Sequence, residues 1–191
     1  YIALELATLF ARLGVKVKLF SPGEQLLPGI DPAALRLVQA GLRKLGVQIA
    51  TKTTIADIND RPIVISHSVC PHTAGLHLDA VGIDVTSNGG IAVNNMQQSS
   101  IPHIYAIGDC TGGQALASIA MKQAKVAAES LSGQRVQFAP LVTPLVVHTT
   151  PELATVGYST EEATRAGYTI VTGRFPLAAN GRALTFGTDN G

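Results

Sequence analysis

The first fifty residues repeat one pattern twice: a helix-forming segment, a glycine and then a short β-prone segment. Apolar residues recur at helical spacing over residues 2–13, Gly14 follows them, and VKVKLF then alternates apolar and basic residues as a strand does. Asp31 and Pro32 are a favourable N-cap and first-turn pair for a second helix, which ends at Gly46 before VQIA. Helices and strands in this alternation predict a parallel sheet and an α/β fold.

Composition excludes several classes of protein. The 191 residues are 46% hydrophobic and 14% charged, enough to build a core and one or two domains. Fourteen basic and thirteen acidic residues contain no basic run, so we expect no nucleic-acid partner. Glu5 and Arg12 interrupt the apolar N-terminal segment, so we expect no signal peptide, no membrane span and a cytoplasmic location. Cys70 and Cys110 lack metal-ligand spacing, which predicts packed thiols and no metal site.

The pattern is less regular after residue 60. Residues 63–65 and a segment from Ile91 are strand candidates, and a long helix is predicted over 115–131. Two prolines then mark a domain boundary. Beyond them, LVVHTT and TIVTGRF are predicted strands, and Ser159 with Glu162 forms a capping box.

The segment IPHIYAIGDCTGG, residues 101–113, places an acid directly after a predicted strand. The strand, residues 104–107, leads into Gly108 and Asp109. The Asp109 carboxylate could cap the turn or the following helix, which is common after a strand. It could instead accept hydrogen bonds from ligand hydroxyls at the strand's carboxyl end. The residue pattern leaves both interpretations open.

A longer segment supports the ligand interpretation. The sequence VNNMQQSSIPHIYAIGDCTGGQALASIAMKQAKVAAESLSG resembles the second flavin-binding segment of the FAD-dependent pyridine nucleotide disulfide oxidoreductases. This resemblance implies that Gly108 and Asp109 bind FAD, with the Asp109 carboxylate on the ribityl chain. It also implies that Leu116 and Ala117 lie against the isoalloxazine ring. Ser118 occupies a place where many lipoamide dehydrogenases have histidine.

The N-terminal segment carries a second resemblance, to the NAD-binding segment of the same family. YIALELATLFARLGVKVKLF is similar to the residues that follow the family's glycine-rich turn, and Ala3 takes its last glycine position. The resemblance implies that Ile2 packs near the nicotinamide and that Glu5 faces the nicotinamide and flavin. Ser21 stands where the family has an acid for the adenosine ribose of NAD, or basic residues for NADP. Serine leaves that choice open, so NAD is expected and NADP is not excluded.

The segment between the NAD-like and FAD-like stretches departs from the family pattern. The family has a β-meander there and then an A-T-G-R-x-P-N-T segment, whose end aligns with CPHT. Ser68, which we include among the NAD-binding candidates, stands where that pattern has glycine. We therefore predict a deletion near Asp60, visible as a chain break or an abnormally short loop.

A third resemblance covers the C-terminal residues. TPLVVHTTPELATVGYSTEEATRAGY is similar to the beginning of the interface domain through which these enzymes dimerise, and FPLAANGRAL is closest to bacterial dihydrolipoamide dehydrogenase. The predicted architecture is Rossmann-like: three-layer, parallel-sheet nucleotide-binding domains followed by the start of an α+β interface domain. We assign residues 1–70 to an incomplete NAD-binding domain, 71–140 to the C-terminal part of an FAD-binding domain and 141–191 to the interface domain.

The resemblance implies a flavoprotein disulfide oxidoreductase that moves electrons from dihydrolipoamide through a redox disulfide and FAD to NAD. The family's redox cysteine pair and His-Glu dyad have no counterpart in this sequence, so we expect no catalytic residue within it. Implied partners are a second copy of the chain and the lipoyl domains of a 2-oxo acid dehydrogenase complex. Mercuric reductase or another NAD(P)H-dependent disulfide reductase is an alternative. A non-catalytic nucleotide-binding or dimerising fragment is another, and it predicts no bound flavin.

Overall fold

A computed structural model describes residues 1–59 and 62–187, and the chain forms two compact units. The first, here the two-segment unit, joins Tyr1–Ser66 to Val146–Gly191. The second, the central unit, is the continuous stretch His67–Leu145. The deletion predicted near Asp60 lies outside the described residues.

The N-terminal part of the two-segment unit has the predicted alternation of helices and strands. Its elements are α1 (Ile2–Arg12), β1 (Lys18–Phe20), α2 (Pro32–Lys44) and β2 (Gln48–Ala50). Strands β1 and β2 pair in parallel, with Leu19 opposite Ile49. The parallel strands expected from the sequence are therefore confirmed here.

Helix α2 begins and packs as its sequence predicts. The Asp31 carboxylate oxygen Oδ1 accepts a hydrogen bond of 2.8 Å from the Ala33 N–H, and Pro32 occupies the first turn. Leu35, Val38 and Leu42, at spacings of three and four residues, are buried. One face of the helix therefore contributes to the core of the unit.

The C-terminal part of the two-segment unit is shorter in regular structure than predicted. It contains β3 (Leu145–Val147), which starts at the unit boundary, then β4 (Leu153–Thr155), α4 (Thr160–Arg165) and α5 (Gly181–Thr185). The predicted capping box at the start of α4 is confirmed. The prediction of a strand over 169–175 is wrong. Within the described chain this β-prone segment has no partner strand and stays exposed, since an isolated strand cannot bury its apolar residues.

Two contacts attach the C-terminal segment to α2 within the two-segment unit. At Gly41 a side chain would overlap the Thr150 carbonyl oxygen, and its Cβ would lie 2.7 Å from Pro151 Cδ. At the N-terminal end of α2, the Asp31 carboxylate oxygen Oδ2 accepts a hydrogen bond of 3.1 Å from the Thr160 hydroxyl. The C-terminal segment approaches α2 closely because Gly41 has no side chain and because Asp31 accepts a hydrogen bond from Thr160.

The central unit contains one long helix and mostly non-regular chain. Helix α3 (Ala117–Leu131) is close to its predicted extent. The strands expected from Ile91 and over 104–107 are only single antiparallel bridges, Val85 to Ile91 and Gln98 to Tyr105. In the two-segment unit, residues 63–65 are not a strand either. The backbone N–H groups here bond to turns instead of extended ladders, so the strand predictions fail although the segments are apolar.

The core of the central unit is small, and it explains the different environments of the two cysteines. Ile83, Ile91 and Ala106 are buried, and Cys110 packs against them, as predicted for a packed thiol. Cys70 is exposed, so the same prediction is wrong for it, because its segment has no regular structure to cover it. No helix of the described residues combines the length and apolar character that crossing a bilayer requires.

Candidate nucleotide-binding sites

Asp109 lies on a single 3-10 turn, Gly108–Thr111, that follows extended backbone at Ile107. The turn begins at Gly108 with φ of 72° and ends at Gly112 with φ of 77°, backbone conformations that favour glycine. The Asp109 side chain is exposed, and no donor within residues 1–59 and 62–187 hydrogen-bonds its carboxylate. The carboxylate therefore does not cap its turn or α3, and it is available to a ligand.

The start of the turn is bonded to helix α3. The Gly108 N–H donates a hydrogen bond of 2.6 Å to Gln123 Oε1, and Gln123 is buried. A Cβ on Gly108 would lie 3.3 Å from Ala120 Cβ, so the turn packs closely on the first part of the helix. We did not predict a role for Gln123. The sequence does contain a signal for it, because Gln123 is a polar residue on the apolar helix face that Ile119 and Val126 define, and a buried amide normally has a hydrogen-bond partner.

The end of the turn is bonded to the loop 86–91. Asn88 Nδ2 donates a hydrogen bond of 2.9 Å to the Gly112 carbonyl oxygen, and the Ile91 N–H donates one of 2.8 Å to the Cys110 carbonyl oxygen. A Cβ on Gly90 would lie 2.7 Å from the Gly112 nitrogen, so only glycine permits this approach. Sequence reasoning missed Asn88 and Gly90, although the cluster SNGG indicates a specific turn.

The other two FAD-binding candidates lie where α3 begins. Leu116 is the N-cap residue in extended conformation and is half-buried, and Ala117 is the first helical residue and is exposed. Because the Asp109 turn packs on this same part of α3, the structure brings all four candidates to one end of the helix.

Three NAD-binding candidates lie at the start of α1. Ile2 is exposed, Ala3 is half-buried, and Glu5 lies in the first turn. The Glu5 carboxylate oxygen Oε1 accepts a hydrogen bond of 2.8 Å from the His148 N–H, a contact that sequence reasoning did not anticipate. His148 in turn lies 3.0 Å from Glu152 Oε1 through its Nδ1, and this hydrogen bond raises the pKa of His148.

Ser21 lies directly after β1, at the carboxyl end of the parallel strand pair. Its N–H donates to the Ala50 carbonyl oxygen at 2.9 Å, and its carbonyl oxygen accepts from the Thr53 N–H at 3.0 Å. This is the edge of a parallel sheet at which α/β proteins bind ligands. Ser68 belongs to the central unit, where it is exposed and its hydroxyl lies 3.2 Å from His67 Nδ1, so its assignment to NAD stays a prediction.

These features are typical of α/β proteins that bind nucleotides: a parallel strand pair with a polar residue at its carboxyl edge, and an exposed carboxylate on a glycine-bounded turn before a helix. The chain belongs to the pyridine nucleotide-disulphide oxidoreductase family, whose model matches residues 1–124. The dimerisation domain of the same family matches residues 143–191. The family and fold class expected from the sequence are thus confirmed.

Relatives and solved structures agree with this assignment. The chain is 34% identical over 212 residues to dihydrolipoyl dehydrogenase from Bacillus subtilis, and 31% identical over 211 residues to that from Geobacillus stearothermophilus. Each alignment covers 100% of this chain and 45% of the relative, so the chain spans about half the length of the curated relatives it matches. The alignment with the Bacillus subtilis relative has 212 positions, whereas this chain has 191 residues. The relative therefore has residues within the aligned region that have no counterpart here.

Two solved structures show the same architecture. The HOCl-induced flavoprotein disulfide reductase RclA from Escherichia coli, as its Cu(II) complex, matches with a TM-score of 0.83 and 26% identity over 100% of this chain and 47% of that chain. LpdA from Mycobacterium tuberculosis matches with a TM-score of 0.86 and 25% identity over 98% of this chain and 45% of that chain.

Proposed function

We propose that this chain is the part of a dihydrolipoamide dehydrogenase-like flavoprotein that binds FAD and NAD. The enzyme would move electrons from dihydrolipoamide through a redox disulfide and FAD to NAD. The observation that carries the proposal is the Asp109 carboxylate, which has no donor from the described chain and lies on a turn bonded from both sides. The family match and the dihydrolipoyl dehydrogenase relatives support it.

The residues present fit the flavin. An exposed carboxylate without a partner accepts hydrogen bonds from hydroxyl groups such as those of a ribityl chain. Gly108 and Asp109 would hold that chain, and Leu116 and Ala117 would give the ring a surface at the start of α3. FAD, when bound, supplies the two-electron chemistry, and the residues of this chain bind and orient it.

The residues present also fit a pyridine nucleotide. No side chain of residues 1–59 and 62–187 makes a cap hydrogen bond at the start of α1, and the N-terminal end of a helix favours a bound anion. Ile2, Ala3 and Glu5 would line the nicotinamide end, and Ser21 would meet the adenosine ribose. Ser68 is proposed for the same cofactor from its place in the family pattern.

The proposed assembly follows from the C-terminal residues. The match of residues 143–191 to a dimerisation domain supports a homodimer. We further propose lipoyl domains of a 2-oxo acid dehydrogenase complex as partners and the cytoplasm as the location of the reaction.

The first test is the visible absorption spectrum of the purified protein, with identification of any pigment released on denaturation. We expect released FAD. Asp109→Ala should weaken FAD binding by about 10- to 100-fold, because this factor corresponds to the free energy of hydrogen bonds to a charged group. Asp84→Ala, which removes another exposed acid of the central unit, is the matched control and should leave FAD binding unchanged. A colourless protein that also fails to bind added FAD would support a non-catalytic fragment instead.

A second candidate within the family is another disulfide reductase, which the likeness to RclA favours. The full-length protein should be assayed with lipoamide, with other disulfides and with Hg(II). Turnover of a different substrate in place of lipoamide would replace the first proposal without changing the cofactor assignments.

A further inference from the structure

We propose that Lys52 binds the 2′-phosphate of a phosphorylated dinucleotide, so that the chain takes NADP as well as NAD. The proposal rests on the proposed function, because it concerns the adenosine end of the same pyridine nucleotide site. It gives a role to a residue that neither the sequence pattern nor the family match assigned.

The segments that follow β1 and β2 are held together by three backbone hydrogen bonds. The Ser21 N–H donates to Ala50, the Thr53 N–H donates to Ser21, and the Lys52 N–H donates to the Gly23 carbonyl oxygen at 3.2 Å. Lys52 therefore lies beside the Ser21 segment at the carboxyl edge of the sheet, where a dinucleotide's adenosine ribose binds in folds of this type.

Lys52 has an uncommon backbone conformation at this edge. Its φ is 55°, in the left-handed region that residues with a side chain rarely adopt. Such a conformation is unfavourable and often occurs at ligand sites, where the surrounding structure maintains it. The two hydrogen-bonded segments maintain it here, and they fix where the lysine side chain leaves the backbone.

The charges at this edge allow a phosphate to bind. Ser21 is uncharged, so it lacks the acid that binds the adenosine ribose of NAD in this family and would repel a 2′-phosphate. The Lys52 ammonium lies 2.8 Å from Glu24 Oε1, and the two side chains are 67% and 76% exposed. An ion pair this exposed is weak, so a phosphate dianion can replace the Glu24 carboxylate as the partner of Lys52. The Asp57 carboxylate accepts hydrogen bonds from the Thr54 N–H and hydroxyl. The ion-pair partner of Lys52 is therefore Glu24 and not Asp57.

The test compares two nucleotides that differ in one phosphate, adenosine 2′,5′-bisphosphate and adenosine 5′-monophosphate, by calorimetric titration of the full chain at fixed ionic strength. We expect the bisphosphate to bind about 1.5- to 5-fold more tightly. Lys52→Gly, which tolerates the positive φ, and Lys52→Gln should both remove this preference and leave monophosphate binding unchanged. Glu24→Gln should strengthen bisphosphate binding, and Ser21→Glu should abolish the preference.

The matched control is Lys16→Ala, which removes an exposed positive charge before β1. It should leave the preference intact. Equal binding of the two nucleotides by the unaltered chain would overturn the inference and leave the nucleotide site standing. Equal losses in the Lys16 and Lys52 variants would overturn it too, because the effect would then be one of general charge. If neither nucleotide binds, the proposed NAD site and this inference both fail.

Discussion

Asp109 owes its position to residues that lie far from it in the sequence. Gln123 bonds the start of its turn and Asn88 bonds the end, at hydrogen-bond distances of 2.6 and 2.9 Å. The candidate carboxylate could be found from the sequence because a Gly-Asp pair followed a strand-like segment. Its two supports left only indirect signals, a polar residue on the apolar face of α3 and the cluster SNGG, because the partner of an amide depends on how the chain folds.

Replacing Gln123 with leucine should loosen this turn. The variant keeps the apolar packing of α3 but leaves the Gly108 N–H without an acceptor, which costs about 1–3 kcal/mol of unfolding free energy. Urea unfolding measures this loss, and FAD binding should weaken with it. Gln114→Leu, at an exposed position of the same unit, is the control and should change stability by less than about 0.5 kcal/mol. Equal losses in both variants would contradict the role of Gln123.

His148 gives the two-segment unit a dependence on pH. The hydrogen bond that His148 donates to the Glu152 carboxylate, and then the charges of Glu152 and Glu5, raise the pKa of His148 above its ordinary value of 6.5. A raised pKa in the folded state stabilises the fold below the unfolded value, and that contribution is lost as pH rises through the folded pKa. Stability should therefore fall as pH rises past about 6.5.

An NMR titration of His148 checks this prediction. Glu152→Gln should bring the pKa of His148 back toward 6.5 and flatten this part of the stability curve. Glu161→Gln removes an exposed acid that pairs with Arg165, and it should leave the pKa of His148 unchanged. A pKa of His148 that is insensitive to Glu152→Gln would contradict the assignment.

Among the elements, α2 shows most directly how a sequence signal becomes structure. Its cap, Asp31, accepts hydrogen bonds from the Ala33 N–H and the Thr160 hydroxyl, and these lower the pKa of Asp31. Asp31→Ala should lower the unfolding free energy by about 0.5–2 kcal/mol, and Asp31→Asn, which keeps the acceptor oxygen, by less. Because the folded pKa is depressed, the contribution of the charge is present above about pH 3.8 and is lost as pH falls through the folded pKa.

Urea unfolding of both variants at neutral pH separates the lost cap from the lost charge. Equal stabilities of the alanine and asparagine variants would show that the acceptor oxygen does not matter.

The helices and the β1–β2 pair could be predicted because local signals set them: caps, glycines and periodicity. The strands expected from Ile91 and over 104–107 could not be predicted from local signals in the same way. An apolar, β-prone segment becomes a strand only when another segment offers a ladder of backbone groups, and the 104–107 segment instead makes one bridge, at Tyr105, and ends in the Asp109 turn. The same is true of 169–175, which stays unpaired.

At the scale of the whole molecule, the two-segment unit depends on a glycine that has no special backbone conformation. Gly41 lies in α2 where the backbone at Thr150 meets the helix, and any side chain there would overlap it. Gly41→Ala should therefore destabilise the protein by about 1–3 kcal/mol despite the better helix propensity of alanine. Thermal unfolding measures the loss.

The control for this change is Gly173→Ala, at a position of the same unit with free space around it. It should be close to neutral. A stabilised Gly41→Ala variant would show that α2 and the C-terminal segment separate without cost.

The hydrogen bond between Glu5 and His148 joins residues 143 positions apart. A ribosome that adds about 5–20 residues per second completes His148 roughly seven to thirty seconds after Glu5. When His148 is added, the continuous central unit, which ends at Leu145, already has all of its residues, while residues 1–66 have only begun to receive the C-terminal part of their unit. The central unit should thus be able to fold first, and residues 1–66 should be left to chaperones until the residues from Val146 onward have been made.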